Sequence, residues 1–79
     1  NIDNVVVDSR YRRQGIGEAL LRRLLAWGEK EQVEAFTLEV RVGNLEAIRL
    51  YQRLGFVSEG IRPRFYEKPV EDALIMWRR

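Results

Sequence analysis

The chain has 79 residues, with 14 Lys and Arg against 12 Asp and Glu, and 46% of its residues are hydrophobic, which limits it to one small domain. It has no His and no Cys, which excludes a Ser-His-Asp triad, a thiol nucleophile, a zinc finger and a disulfide framework. A net charge of +2 is too small to indicate nucleic-acid binding by itself, and no apolar run reaches the roughly 20 residues of a membrane span, so we expect a soluble, cytoplasmic protein.

The first half of the chain predicts a strand, a helix and a second strand. Residues Ile2 to Val7 form a short β-branched run followed by polar residues, which is typical of a buried strand. Residues Phe36 to Val42 alternate between apolar and polar, as in a strand with one buried face. Between them, from Gly15 to Lys30, apolar residues recur at helical spacing and predict a buried face made of Ile16, Leu20, Leu24 and Trp27, with Leu21 and Leu25 beside them.

The second half predicts another helix and two closing strands. Asn44 is a good helix N-cap, and Gly55 is the residue type that tolerates the left-handed position after a helix. The runs from Phe56 to Tyr66 and from Ala73 to Trp77 predict an antiparallel pair of strands joined by a polar connection. The fold class is therefore α/β: a right-handed βαβ unit extended to a mixed sheet, in the order β-α-β-α-β-β.

The strongest local signal is the segment Arg12-Arg13-Gln14-Gly15-Ile16-Gly17, between the first strand and the first helix. Glycines let the backbone approach a ligand closely, and the N–H groups at the start of a helix favour an anion such as a pyrophosphate. The alternative is that the glycines only make a tight turn. The segment is not a Walker loop, because no Gly-Lys-Ser/Thr follows, and the third glycine of a dinucleotide fingerprint would fall at Leu20.

Further segments accompany this motif: Asn4-Val5-Val6-Val7-Asp8, Leu38-Glu39-Val40-Arg41, Asn44, Ala47-Ile48-Arg49-Leu50-Tyr51-Gln52-Arg53-Leu54-Gly55-Phe56 and Glu71-Asp72-Ala73-Leu74-Ile75-Met76. Together with the motif, they resemble the GNAT superfamily of acetyl-CoA-dependent N-acyltransferases. Within it the chain most resembles the RimI type, bacterial enzymes that acetylate the N-terminal alanine of a ribosomal protein. The resemblance implies the C-terminal half of the GNAT acyl-CoA N-acyltransferase fold, with residues 1–79 as one partial domain.

The resemblance also implies acetyl-CoA as cosubstrate, no metal, and roles for particular residues. Glu39 would be the general base, directly or through water, and Tyr51 the general acid. This suits the chemistry, since a carboxylate can take the proton that an ammonium group must lose before it attacks a thioester, and a phenol can protonate the departing thiolate. The residues implied in cofactor binding are Val5, Val6, Val7, Arg12, Arg13, Gln14, Gly15, Ile16, Gly17, Glu18 and Asn44.

Periodicity alone supports other interpretations of the same side chains. Tyr51 shares its helical face with apolar residues, which favours a core position. The alternative for Glu39 is an ion pair with Arg41 or with an arginine of a neighbouring strand. Trp27 and Trp77 are interpreted as core anchors.

Three classes of function follow. The leading hypothesis is an N-acetyltransferase that acts on a primary amine, with a protein N-terminus as a candidate acceptor. The second is a non-catalytic CoA-binding fragment that lacks the acceptor-binding half, and the third is a small Arg-rich nucleic-acid binder. The small net charge and the absence of a long apolar run mean that neither nucleic acid nor a membrane is expected as a partner. Because the run from Ile2 to Val7 carries no Lys or Pro to protect a sheet edge, we also predict a homo-oligomer formed by strand pairing or swapping.

Overall fold

The computed structural model describes residues 4–7 and 14–79, with the backbone alone for residues 14–17. The predicted order of elements is confirmed. The predicted start of the first strand, at Ile2, lies outside the described residues. The elements are β1 (Asn4–Val7), α1 (Gln14–Lys30), β2 (Ala35–Arg41), α2 (Leu45–Arg53), β3 (Val57–Tyr66) and β4 (Glu71–Arg78).

The four strands form one mixed sheet in the order β1-β2-β4-β3. β1 runs parallel to β2, with Val7 opposite Leu38, and β4 is antiparallel to both of its neighbours. The parallel pair needs a crossover connection, which α1 supplies, whereas β3 and β4 are the antiparallel pair that the sequence predicts. β4 therefore lies inside the sheet, between β2 and β3.

Both helices pack on one face of the sheet. Arg78 lies opposite Phe36 on this face, and it donates one hydrogen bond of 2.8 Å to the main-chain oxygen of Leu54, after α2, and another of 2.8 Å to Glu29 on α1. The helices and this face of the sheet enclose the core, whose buried residues are Leu21, Leu25, Phe36, Leu38, Val40, Ala47, Tyr51, Leu54, Phe56 and Met76.

The buried face of α1 differs from the predicted one. Leu21 and Leu25 are buried, whereas the side chain of Trp27 is 42% exposed, so the prediction that Trp27 anchors the core is wrong. The cause is Gly28, where an added Cβ would overlap the ring of Phe36. Since the ring packs directly against the glycine, α1 turns Gly28 and the two leucines toward the sheet.

The ends of α2 follow the predicted signals. Asn44 caps the helix, because its side-chain oxygen accepts a 3.2 Å hydrogen bond from the N–H of Ala47. Beyond the other end, Gly55 has a φ of 98°, a left-handed conformation that glycine adopts without strain. These local signals fix the connections from β2 to α2 and from α2 to β3.

The opposite face of the sheet carries no helix within the part of the chain that the structure describes. Trp77 lies here, half-buried, with the guanidinium of Arg79 4.5 Å from its ring centroid, so it does not anchor the core between sheet and helices as predicted. We call this surface the open face; the register assigns to it Val6, Thr37, Glu39, Arg41, Arg62, Ala73, Ile75 and Trp77.

Candidate active site

Glu39, the candidate base, lies on the open face and forms an ion pair. Its Oε2 is 3.3 Å from Nη1 of Arg62, and its side chain is 27% exposed. Arg62 belongs to β3 and reaches across Ala73 of β4, which the register places between the two strands. The expected ion pair is therefore present, but its partner is Arg62, on a strand that is not adjacent to β2, rather than Arg41 or an arginine of a neighbouring strand. A half-exposed pair of this kind contributes at most about 1 kcal/mol, so a competing ammonium group can displace the arginine.

Tyr51, the candidate acid, lies in the core. Its side chain is 2% exposed, and its ring meets the ring of Phe56 edge to face, with the centroids 5.9 Å apart. The core interpretation of Tyr51 is thus confirmed. Because side chains alternate along β2, Glu39 and the neighbouring Leu38, which packs with Tyr51 in the core, point to opposite faces.

Because the two candidate side chains lie on opposite faces of β2, one ligand can reach both only from an end of the strand. The last described pair between β1 and β2 joins Val7 to Leu38, one residue before Glu39. A ligand beyond the carboxyl end of β1 would have access to both faces of β2, and the crevice outside the carboxyl ends of parallel strands is a common ligand site. This end of the β1–β2 ladder is therefore the candidate cleft.

The residues assigned to cofactor binding divide between β1 and the start of α1. Val5 and Val7 pack against the core, whereas Val6 is 73% exposed on the open face. Arg12 and Arg13 lie outside the described residues. Gln14, Gly15, Ile16 and Gly17 begin α1, whose first turn carries no acidic residue, and Glu18 follows in an ion pair of 2.8 Å with Arg22. The positive end of the helix dipole is thus left uncompensated in that turn.

Arg41 is the centre of a polar network that the sequence analysis did not assign. Its Nη1 donates hydrogen bonds of 3.2 Å to the main-chain oxygen of Pro69 and to Oε1 of Glu71. Its Nη2 donates a bond of 3.3 Å to the main-chain oxygen of Glu67. The guanidinium carbon lies 4.4 Å from the ring centroid of Tyr66, so one side chain contacts both ends of the connection between β3 and β4.

Two further contacts extend this network to the candidate site. The hydroxyl of Tyr66 donates a 3.0 Å hydrogen bond to the main-chain oxygen of Glu39. The second carboxylate oxygen of Glu71 accepts a 2.7 Å bond from the N–H of Gly43, the residue before Asn44. The network thus joins the strand that bears the candidate base to the turn that precedes α2.

The residues that form these contacts can be identified in the sequence, but the sequence does not show which of them contact each other. One arginine stands near the end of the predicted strand Phe36 to Val42, and the predicted strand Phe56 to Tyr66 has another in its middle and an aromatic residue at its end. Which of them meet depends on strand order and register, because Arg62 reaches Glu39 only across an intervening strand.

In the described ranges, 4–7 and 14–79, no group of three or more Asp or Glu side chains could hold a metal ion. No helix in those ranges is long and apolar enough to span a membrane.

The comparisons with known proteins point to one family. Residues 1–56 match the acetyltransferase (GNAT) family. Over 75 residues the chain is 47% identical to the ribosomal protein bS18-alanine N-acetyltransferase of Escherichia coli strain K12, an alignment that covers 92% of this chain and 51% of that enzyme.

Solved structures agree. The crystal structure of the ribosomal-protein-S18-alanine N-acetyltransferase from Escherichia coli matches with a TM-score of 0.83 and 41% identity, over 99% of this chain and 55% of that one. Arabidopsis thaliana Naa50, in complex with the bisubstrate analogue CoA-Ac-MVNAL, matches with a TM-score of 0.80 and 25% identity, over 96% of this chain and 54% of that one.

These matches confirm the resemblance and the fold class that the sequence analysis expected. The chain spans about half the length of the curated relatives it matches. The family match itself covers most of the chain, from β1 through α2, and includes Glu39, Tyr51 and the glycine motif. On this evidence the chain belongs to the acetyltransferase (GNAT) family.

Proposed function

We propose that this chain is the acetyl-CoA-binding part of an N-acetyltransferase that transfers an acetyl group to a primary amine, with a protein N-terminal α-amine as the acceptor. The observation that carries the proposal is the 47% identity to an enzyme named as a ribosomal protein bS18-alanine N-acetyltransferase. Because the chain spans about half of that enzyme, we interpret residues 1–79 as one partial domain.

The start of α1 fits the pyrophosphate of acetyl-CoA. The helix is 17 residues long and has no acidic residue in its first turn, so its free N–H groups and dipole favour an anion. We assign the pyrophosphate to the backbone from Arg13 to Glu18, with Arg12 beside it. Main-chain groups of Val5, Val6 and Val7 would pair with the pantetheine arm and the acetyl carbonyl, and Asn44, whose oxygen caps α2, retains its amide nitrogen as a donor.

Glu39 is assigned as the general base. Its carboxylate is half-exposed on the open face and pairs, among the described residues, with Arg62, which an incoming ammonium group can replace. Deprotonation by Glu39, directly or through water, gives the neutral amine that attacks the acetyl carbonyl. The ion pair keeps the carboxylate ordered until the acceptor arrives.

Tyr51 is assigned as the general acid. In the reaction a nitrogen–carbon bond forms and the carbon–sulfur bond of the thioester breaks. The nitrogen loses two protons in passing from ammonium to amide; the departing sulfur takes up one, through the hydroxyl of Tyr51, and the other leaves to solvent. Direct attack is expected, because the chain has no Cys to act as a covalent nucleophile.

The test combines binding and turnover. Acetyl-CoA binding is measured by calorimetry, and turnover by thiol release and by the mass of a peptide that begins with alanine, with Glu39→Gln as the inactive variant and Arg79→Met as a variant far from the site. Binding with turnover that is lost only in Glu39→Gln supports the proposal. Binding without turnover indicates the alternative, a non-catalytic CoA-binding fragment, and the absence of binding refutes both.

Two further expectations belong to this proposal. An acetyltransferase of ribosomal-protein N-termini would work in the cytoplasm, where its acceptor and acetyl-CoA are available. Self-association through β1 would protect a strand that, among the described residues, pairs with β2 alone.

A further inference from the structure

The connection between β3 and β4 has no apolar anchor of its own. Residues 67–70 are all exposed, and Val70 is 65% exposed. Exposed connections without buried side chains depend on polar contacts for their order. Here those contacts come from Arg41, which donates to the main-chain oxygens of Glu67 and Pro69 at 3.3 Å and 3.2 Å.

The geometry of Arg41 suits this task. A guanidinium is planar and carries five donors in a fixed arrangement, so several acceptors around it define one orientation. Besides the two carbonyl groups, Arg41 donates to Glu71, and the Arg41 side chain itself is 30% exposed. A lysine at this position would carry the charge without the planar array of donors.

Tyr66 connects this arrangement to the candidate base. Its ring lies under the guanidinium of Arg41, with 4.4 Å between the guanidinium carbon and the ring centroid, and its hydroxyl donates to the main-chain oxygen of Glu39 at 3.0 Å. The ring is half-buried, whereas the residues that follow it are exposed. Arg41 therefore fixes both the aromatic side chain next to Glu39 and the backbone that extends from it.

We propose that Arg41 is a positioning residue for the acceptor: it holds the Tyr66 ring and residues 67–70 in place as one wall of the acceptor side of the cleft. This inference rests on the proposed function. Arg41 acts through Tyr66 and the connection, without contacting acetyl-CoA or the amine. Within the described residues its side-chain hydrogen bonds go to residues 67–71, on the side of β2 opposite to β1, so its loss acts on the acceptor rather than on the cofactor.

The test replaces Arg41 with Met and with Lys, and uses Arg79→Met as the matched control. Arg79 also forms an ion pair, with Glu59, and a cation–π contact, with Trp77, but at the other end of β4. We expect Arg41→Met to raise the acceptor KM roughly tenfold, while the Kd for acetyl-CoA changes less than about twofold. Arg41→Lys should fail to restore the KM, and Arg79→Met should behave as the unmodified chain.

A second measurement needs no turnover. In NMR spectra of the chain, Arg41→Met should shift the ring resonances of Tyr66 and increase the mobility of the amides of residues 68 and 70, whereas Arg79→Met should change neither. Unchanged ring shifts and amide mobility in Arg41→Met, or an unchanged acceptor KM in an active protein, would overturn the proposal. If the unmodified chain binds acetyl-CoA without acetylating any peptide, the proposed catalytic function fails, and the NMR comparison still decides whether Arg41 orders this wall.

Discussion

The hydroxyl of Tyr66 on β3 donates a 3.0 Å hydrogen bond to the main-chain oxygen of Glu39 on β2, two strands that are not neighbours. The ion pair between Arg62 and Glu39 spans the same gap at 3.3 Å. Both links pass over β4, where the small side chain of Ala73 leaves room for them. The end of the β3–β4 hairpin is thus attached to the strand that carries the candidate base.

The link from Tyr66 predicts a measurable loss of stability. Tyr66→Phe removes the hydroxyl and retains the ring beneath Arg41, so we expect the free energy of unfolding to fall by about 1 kcal/mol, the usual contribution of one hydrogen bond. Urea unfolding followed by tryptophan fluorescence measures it. An unchanged midpoint would mean that the bond contributes nothing in solution.

The close contact between α1 and β2 predicts a strict requirement for glycine at position 28. Gly28→Ala places a methyl group against the ring of Phe36, which is 3% exposed and has little room to move. Overpacking of this kind lowers the free energy of unfolding by about 1 to 3 kcal/mol. The better helix propensity of alanine raises it by roughly 1 kcal/mol, so we expect the variant to be no more stable than the unmodified chain, and less stable if the ring cannot move.

Gly60→Ala is the control, because an added Cβ there meets nothing within 4 Å. Thermal unfolding of the two variants gives the comparison. A Gly28→Ala protein as stable as Gly60→Ala would show that the Phe36 ring can move aside.

The glycine motif predicts a separation of binding from folding. Gly17→Val adds a β-branched side chain in the first turn of α1, which blocks the approach of a pyrophosphate to the backbone. We expect acetyl-CoA affinity to fall more than tenfold, with the helix content seen by circular dichroism retained.

Leu20→Val is the matched control, since it places the same side chain on the same helix at a position that is 53% exposed. Calorimetry measures both. If Gly17→Val binds acetyl-CoA as tightly as Leu20→Val does, the motif is only a turn.

The proposed acid predicts a loss of turnover without a loss of binding. Tyr51→Phe removes one proton donor and almost no volume from the core, so we expect kcat to fall about a hundredfold while the Kd for acetyl-CoA stays within about twofold. Steady-state kinetics and calorimetry provide the two numbers. Unchanged turnover would mean that Tyr51 has a structural role in the core, where its ring packs against Phe56.

The edge of the sheet predicts self-association. β1 pairs with β2 on one side, and the exposed Val6 offers no charge against pairing with another strand. We expect a dilution series in the analytical ultracentrifuge to show a dimer or a larger species that dissociates at low concentration. A single monomeric species at every concentration would contradict this.

The sequence predicts best what local chemistry determines. Asn44 and Gly55 fix the ends of α2 through a side-chain cap and a left-handed backbone, and both effects act within a few residues. The order of strands and helices follows from the hydrophobic pattern for the same reason, since its period differs between a strand and a helix.

Features that depend on distant residues were predicted less well. The buried face of α1 differs from the predicted one because Gly28 packs against Phe36 of β2. Helical periodicity carries no information about a contact between two elements. The partner of Glu39 is neither Arg41 nor an arginine of a neighbouring strand, because the insertion of β4 between β2 and β3 brings Arg62 within reach from two strands away. The network around Arg41 was missed because its acceptors are mostly main-chain oxygens, which no residue type reveals.

The interior position of β4 has a consequence for synthesis on the ribosome. β2 and β3 both form their ladders with β4, yet β4 is made after them, so neither can complete its pairing while the nascent chain is still growing through residues 57–70. Until then the edges of β2 and β3 that later meet β4 are unpaired, and unpaired strand edges attract other chains. The arrival of β4 pairs both of these edges in one step, so β4 is the strand that joins β3 to β2 in the native order.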